Sequence, residues 1–508
     1  MRRPMRKTRV TLAILFLLCI TLLFLDFTGT AHTWLGWMAK IQFLPSVLAL
    51  NVGVIVLLML LTLVFGRMYC SVICPLGVFQ DVVSWLSGRR KKKKYRFSYS
   101  PAMSWLRYGI LGVFVLCLIF GLGSVVALLA PYSAYGRMAN NLFQPVYLWG
   151  NNLLAYFAER AGSYAFYEAE VWLRSLPTFL IAALTFIIIG VLAWRGGRTY
   201  CNTICPVGTV LGFLSRFSLL RPVIDTEKCN GCGLCARKCK AACIDPKAHR
   251  IDYSRCVVCM DCLDTCKRHA ISYRLRRRKK TATEDAPQEV VKGVSPEQIN
   301  EARRAFLSAT ALVAATSAVK AQEKKVDGGL AVIEDKQIPA RSERIVPPGA
   351  LSIRNFESHC TACQLCVSVC PNGVLRPSAS LSHLMQPEMS YERGYCRPEC
   401  TKCAEVCPAG AIRPITRAEK SAVQVGHAVW VKKNCVPLTD GKECGNCARH
   451  CPTKAIEMVS SDMTGSSSLK IPVINAEKCI GCGACENLCP ARPFSAIYVE
   501  GHKMHRVV

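Results

Sequence analysis

Cysteine spacing is where chemistry first shows in this chain. Residues 229–270 hold Cys229, Cys232, Cys235 and Cys239, followed by Cys256, Cys259, Cys262 and Cys266. Both quartets read C-x2-C-x2-C-x3-C. In that spacing three thiolates on a tight loop wrap one [4Fe–4S] cluster, and the fourth, about a helical turn later, ligates the neighbouring cluster. One cluster is therefore expected on Cys229, Cys232, Cys235 and Cys266, and another on Cys256, Cys259, Cys262 and Cys239. Disulfides or a zinc site would not call for eight cysteines in this double register.

The same chemistry recurs in residues 350–508. Four quartets occur there: Cys360, Cys363, Cys366 and Cys370; Cys396, Cys400, Cys403 and Cys407; Cys435, Cys444, Cys447 and Cys451; Cys479, Cys482, Cys485 and Cys489. Each ends in Cys-Pro. The second and third open with longer gaps, which leaves their first ligands the least fixed. Pairing first with second and third with fourth is simplest, and a nested pairing also satisfies the spacing. The endings AIRPIT, AIEMVS and SAIYVE suit short strands that close such modules, and GSSS at 465–468 reads as an insertion loop. Six quartets use 24 of the 31 cysteines, so six clusters are expected.

Seven cysteines remain: Cys19, Cys70, Cys74, Cys117, Cys201, Cys205 and Cys243. Four of them form a repeated phrase, RMYCSVICPLG and TYCNTICPVG, each led by a basic residue at the end of an apolar segment. Cysteines at i and i+4 share a helix face, so Cys70, Cys74, Cys201 and Cys205 converge if the two halves pack together. A metal or cluster site, a redox-active thiol set, and a structural repeat with inert thiols all fit the phrase. Cys19 and Cys117 lie in apolar runs and read as core residues.

Membrane helices must position much of this. Hydrophobic residues make up 51% of the chain and its formal charge is +30. Apolar runs at Val10–Phe27, Leu44–Phe65, Trp105–Ala130 and Thr178–Trp194 predict four spans. Basic residues flank them, in MRRPMRKTRV, in GRRKKKK at 88–94, and at Arg195 and Arg198. By the positive-inside rule this places the N-terminus and those loops in the cytoplasm, and it displaces a nucleic-acid reading of the charge. The external loop, roughly Pro131–Leu176, is rich in Tyr, Phe and Trp. It reads either as an interfacial segment or as part of a quinol pocket with Arg137, Asn140, Asn141 and Gln144 as polar contacts.

Beyond the first cluster pair, RLRRRKKTATEDAPQEVVKGVSPEQ is a polar linker. EARRAFLSATALVAATSAVKAQ then combines Arg303 and Arg304 with Phe306, Leu307, a short apolar run and small residues. That is the pattern of a twin-arginine export signal placed in mid-chain, with Ala302 and Ser308 departing from its usual form. The expected organisation is a membrane domain over 1–220, a cytoplasmic two-cluster ferredoxin domain over 221–275, and a linker over 276–300. An internal signal or fifth span over 301–322, a linker over 323–349 and a four-cluster domain over 350–508 complete it. The fold class is an α-helical membrane domain with four transmembrane helices plus α+β bacterial-type ferredoxin modules.

What is missing also guides the reading. Residues 1–220 contain only His32, so no bis-histidine haem fits between the helices, and there is no C-x-x-C-H. No G-x-G-x-x-G follows a strand and no phosphate-binding loop occurs, so neither a nicotinamide nor a nucleotide site is suggested.

On these motifs the first 275 or so residues resemble the NapH/MauN membrane ferredoxins, through the two C-x3-C-P phrases and the double cluster. Residues 300–508 resemble the NapG/MauM exported ferredoxins, through the twin arginines and four quartets. The resemblance implies that two proteins, separate in those families, are fused here. It also implies quinol as electron donor and a periplasmic reductase, such as nitrate reductase, or another periplasmic redox enzyme or carrier as partner. Cys239 and Cys266 precede Lys where the families have Pro. A copper-reducing assembly factor and the NosR regulators share the membrane half. The expected function is thus quinol-to-periplasm electron transfer from a multi-pass protein of the bacterial inner membrane, with residues 323–508 periplasmic. Its alternative is a maturation factor that reduces a metal or thiol for another respiratory protein.

Overall fold

The computed structural model describes residues 2–89, 97–163, 165–276, 334–461 and 469–507. The twin-arginine segment, residues 277–333 as a whole, most of GRRKKKK and the GSSS loop lie outside the described residues.

The membrane part is built on helices α1 (Arg2–Leu25), α2 (Val52–Phe65), α3 (Pro75–Gly88), α4 (Ser104–Ile119), α5 (Pro131–Met138), α6 (Gln144–Arg160), α7 (Leu176–Gly196) and α8 (Pro206–Ser215). Among the described residues two helices are long and apolar enough to cross a membrane, Met5–Leu25 within α1 and the whole of α7. The expectation of four unbroken spans is corrected at the other two. Leu44–Phe65 divides into Phe43–Leu48 and α2, because Leu50 takes a φ of 52° and the Asn51 side chain caps a new start by accepting from the Val54 N–H. Trp105–Ala130 stops at Ile119, where Gly121 adopts a φ of 72°, and resumes as Gly123–Leu129. Apolar composition hides such breaks.

The repeated cysteine phrase folds the same way twice. Helix α3 runs beside α7 in the same direction, with the Phe79 and Phe186 rings 5.6 Å apart and the Ser87 hydroxyl donating to the Trp194 carbonyl. Helix α8 runs likewise beside α2, and beyond its end the Leu219 N–H donates to the Leu63 carbonyl. Segments 66–74 and 197–205 must therefore double back. Each forms one short helix, Met68–Val72 or Thr199–Thr203, then extends at Cys74 or Cys205. Pro75 and Pro206 start the next helix, where a missing N–H is not needed.

The first ferredoxin module is closed by strands β1 (Leu220–Ile224) and β2 (Ile271–Leu275), paired antiparallel from Leu220↔Leu275 to Ile224↔Ile271. In the C-terminal part β3 (Val423–Trp430) pairs with β6 (Ile497–Val507), and β4 (Ile456–Ser460) with β5 (Lys470–Ile474), all antiparallel. AIEMVS and SAIYVE supply β4 and the start of β6. AIRPIT forms no strand, since Pro414 lacks the N–H that a ladder requires.

The two groups of modules sit at opposite ends of α1. Near its start, Arg6 pairs with Asp261 at 2.7 Å and Asp264 at 3.2 Å in the first module. Near its other end, Gly136 is wedged between the Phe24 ring and the Cys363 carbonyl, leaving no room for a Cβ. Just beyond, Lys402 donates to the Thr28 carbonyl at 2.9 Å. The rise from Arg6 to Phe24 is about 27 Å.

Candidate electron-transfer centres and the junction with the membrane part

Five of the six ferredoxin loops carry their first three cysteines around a positive-φ residue, the loop Cys396–Cys403 being the exception, and in all six the fourth cysteine comes just after a short helix. In the first module Cys229, Cys232, Cys235 and Cys266 line one cavity of about 200 Å³. Cys239, Cys256, Cys259 and Cys262 line another. The fourth thiol of each quartet thus reaches across to the other set. Cys243, buried beside Cys239 with the sulfurs 3.5 Å apart, joins the second cavity.

The C-terminal quartets cross in the same manner. Cys407 is the neighbour that Cys360, Cys363 and Cys366 share from the second quartet, with Cys403 lying next for Cys366, whereas Cys370, Cys396, Cys400 and Cys403 line one cavity. Cys447 faces Cys444, Cys489 and Cys435, and Cys482 faces Cys479 and Cys451. First and second quartets therefore form one unit, third and fourth another. Cys396 and Cys482 join the units, the N–H of the former donating to the carbonyl of the latter at 2.9 Å. Tyr391, fully buried, braces this contact by donating to the Gly481 carbonyl at 2.7 Å. Its ring also fills the space a Cβ at Gly483 would need, where φ is 79°.

These thiol sets suit iron–sulfur clusters. Four or five cysteine sulfurs, the soft ligand such clusters use, line each cavity, and His249 is the one imidazole among the linings. Among the described residues no three His, Cys, Asp or Glu side chains are gathered as ligands of a single ion; the thiols instead surround space. Burial pushes the thiols of Cys235 and Cys447 up to about 11 and that of Cys482 up to about 12. They give up their protons only as iron binds. Beside the membrane part, burial works against the Asp261 carboxylate, but Lys240 and Arg6 outweigh it and hold the group below its ordinary value.

Arg137, Asn140, Asn141 and Gln144 come together, all buried, where the membrane part meets the third ferredoxin loop. The Asn140 and Asn141 amides donate to Gln364 Oε1 at 3.3 and 2.8 Å, and Gln364 stands between Cys363 and Cys366. Arg174 donates to Asn140 Oδ1 at 2.7 Å. Arg137 Nη1 donates to the Ala127 carbonyl at 2.7 Å. Its Nε and Nη2, the Tyr132 hydroxyl and Gln144 Nε2 are buried without partners among the described residues. The backbone here, Ala139–Phe143, forms a π-helical turn, a feature frequent at functional sites. Gln364, Arg174 and Tyr132 were not apparent from sequence, because nothing local marks a contact made from so far along the chain.

Cys70, Cys74, Cys201 and Cys205 also converge, each 4% exposed. Around them stand Arg67, Arg198, Asp81 and Gln80, of which only the basic residue leading each phrase gave a signal in the sequence.

Comparisons with known proteins agree with this chemistry. A family model described as a 4Fe-4S binding domain matches residues 47–94 and 176–224, one described as a 4Fe-4S dicluster domain matches 359–411 and 442–492, and a further 4Fe-4S binding domain matches 222–245. The ferredoxin-type protein NapG of Escherichia coli K12 is 32% identical over 32% of this chain and 75% of its own length. The ferredoxin-type protein NapH of Haemophilus influenzae is 28% identical over 46% of this chain and 70% of its own. The putative electron transport protein YccM of E. coli is 24% identical over 44% of this chain. The chain spans 55% of YccM's length and 38% of that of an uncharacterized protein of Methanocaldococcus jannaschii. No solved structure matches the chain.

Proposed function

Since the chain belongs to the NapH/NapG-type ferredoxin family and is an iron–sulfur electron-transfer protein, we propose that it takes electrons from membrane quinol and delivers them to a periplasmic reductase. One observation carries this. The buried polar patch around Arg137 lies directly beneath Cys363 and Cys366, so a quinol head bound there adjoins the first of the C-terminal centres.

In this reading α1, α7 and the two interrupted helices make four passes, with the N-terminus and residues 221–275 in the cytoplasm. Residues 323–508 lie in the periplasm, exported through the twin arginines. Six [4Fe–4S] clusters, held by the six quartets, each take up and release one electron. The side chains do the rest. Arg137 Nε and Nη2, the Tyr132 hydroxyl and the Gln144 amide are buried donors without partners among the described residues, and in this reading they hold the quinone oxygens. Asn140 and Asn141 fix Gln364, and with it the loop bearing Cys363 and Cys366, against that head. Tyr391 keeps the two C-terminal units in contact, and in this reading Cys435, Cys444, Cys447 and Cys489, which lie outside that contact, face a partner.

A quinol analogue added to the purified full chain in detergent tests the proposal. The clusters are expected to bleach. If they stay oxidised with quinol, while the chemically reduced protein reduces copper(II), the quinol reading fails in favour of a maturation factor.

A further inference from the structure

The two C-x3-C-P phrases are related by an approximate two-fold exchange that completes one site from two incomplete halves. Arg67, leading the first phrase, donates to the Cys201 carbonyl at 3.2 Å and to Asn202 Oδ1 at 2.9 Å. Arg198, leading the second, donates to the Cys70 carbonyl at 2.7 Å and to Asp81 at 2.9 Å. Each guanidinium also comes near the first thiol of its own phrase, 3.9 Å from Cys70 Sγ and 4.0 Å from Cys201 Sγ. Gly77 and Gly208 occupy equivalent positions, and a Cβ on either would strike the neighbouring cysteine carbonyl and the crossing guanidinium.

Several buried polar atoms around these thiols lack partners. Arg67 and Arg198 are both 0% exposed, yet Arg67 Nε, Arg198 Nη2 and Gln80 Oε1 have no hydrogen-bond partner among the described residues. Gln80 Nε2 meanwhile donates to Cys201 Sγ at 3.2 Å. Two buried guanidiniums beside these thiols are poorly compensated, since the one carboxylate, Asp81, is already shared with Arg9 and Lys240. Four thiolates around an iron–sulfide core bring net negative charge to that spot. The family model for 4Fe-4S binding matches each half separately, but each half offers only two of these thiols.

We propose that Cys70, Cys74, Cys201 and Cys205 together ligate a seventh [4Fe–4S] cluster, which links the two ferredoxin groups and makes the chain a conductor from one end of α1 to the other. Its surroundings reach both ways. Lys240, next to Cys239, bonds Asp81 at 3.6 Å and Asp261 at 3.1 Å, and its carbonyl accepts from the Arg198 N–H. On the far side Tyr200, next to Cys201 in sequence, donates to the Leu129 carbonyl at 3.2 Å, Arg137 donates to the Ala127 carbonyl at 2.7 Å, and Gly136 packs against the Cys363 carbonyl. The step is one-electron relay. A reduced cluster on Cys239, Cys256, Cys259 and Cys262 is oxidised as the seventh core is reduced, and that core is reoxidised by the cluster on Cys360, Cys363, Cys366 and Cys407. No bond is made and no proton moves. The inference does not depend on the quinol site.

The test compares the full chain with Cys74→Ser and with the Cys70→Ser, Cys201→Ser double variant, using Cys117→Ser as control. Wild type is expected to hold about four iron and four sulfide more per chain than the double variant, with the signals of the six ferredoxin clusters unchanged. In quinone-free proteoliposomes with trapped ferricyanide, external dithionite is expected to reduce the ferricyanide through wild type and the control, and at least about tenfold more slowly through either phrase variant. Equal iron in all four proteins overturns the proposal, as does undiminished ferricyanide reduction through Cys74→Ser. Copper or zinc bound in place of the extra iron overturns it equally. Failure of quinol to reduce the protein would leave these readouts untouched, so the two proposals fail separately.

Discussion

Arg67 donates to the carbonyl of Cys201, a residue of the other C-x3-C-P phrase, at 3.2 Å, and Arg198 returns the bond to Cys70 at 2.7 Å. This exchange ties together two segments that lie on different helix pairs. It also gives both leading arginines a role: a planar guanidinium holds its donors in a fixed fork, which orients the carbonyl and the second acceptor it reaches, whereas a lysine ammonium is a point charge without that geometry. Arg198→Met leaves Asp81 buried with less compensation and is expected to lower stability by about 3 kcal/mol. Arg198→Lys should recover only part of that. Thermal unfolding in detergent, followed by cluster absorbance, measures both.

The crossed thiol sets predict which cluster each cysteine controls. Cys266→Ser is expected to remove the cluster of Cys229, Cys232 and Cys235 while sparing the one on Cys256, Cys259 and Cys262; Cys239→Ser should do the reverse. The environments differ, with Cys232 exposed and Cys259 packed against the membrane part, so the two losses are separable by electron paramagnetic resonance of the reduced protein.

The junction should weaken when its amides are cut back. Asn141→Ala removes the 2.8 Å bond to Gln364 and leaves a buried acceptor less satisfied, a loss of about 1–2 kcal/mol. Hydrogen exchange is expected to rise in residues 360–370, with no change at residues 229–266.

Acid should loosen the C-terminal strand. Burial, with His502 adding to it, lowers His505 from 6.5 to about 4. Below pH 6.5 the unfolded chain binds a proton that the folded chain refuses, so stability falls as the pH drops from 6.5 towards about 4 and is unaffected above that window. Between pH 7 and pH 5 the loss is roughly 2 kcal/mol. His505→Gln should flatten the slope, as read by unfolding of the C-terminal domain at pH 7 and pH 5.

Much of this molecule was legible in cysteine spacing, because a cluster dictates where its ligands stand along a loop. The family, the ferredoxin chemistry and the strands from AIEMVS and SAIYVE follow from local pattern. The breaks at Leu50 and Gly121 do not, since a positive φ leaves no mark in an apolar run. Nor does the bond from Asn141 to Gln364, or that from Arg67 to Cys201: each joins residues far apart in the chain, and only packing brings them together. Pro414 shows a third case, where a strand-like ending is vetoed by one missing N–H.

Stopped-flow mixing of the oxidised full chain with a quinol analogue tests the central claim most directly, with Arg137→Leu and Gln144→Leu mixed alongside. The account predicts that wild-type cluster absorbance bleaches in a quinol-dependent phase, and that both variants slow it roughly tenfold or more, ~1.4 kcal/mol of barrier, while dithionite reduces all three at the same rate. A wild-type protein reduced by dithionite but untouched by quinol would contradict it.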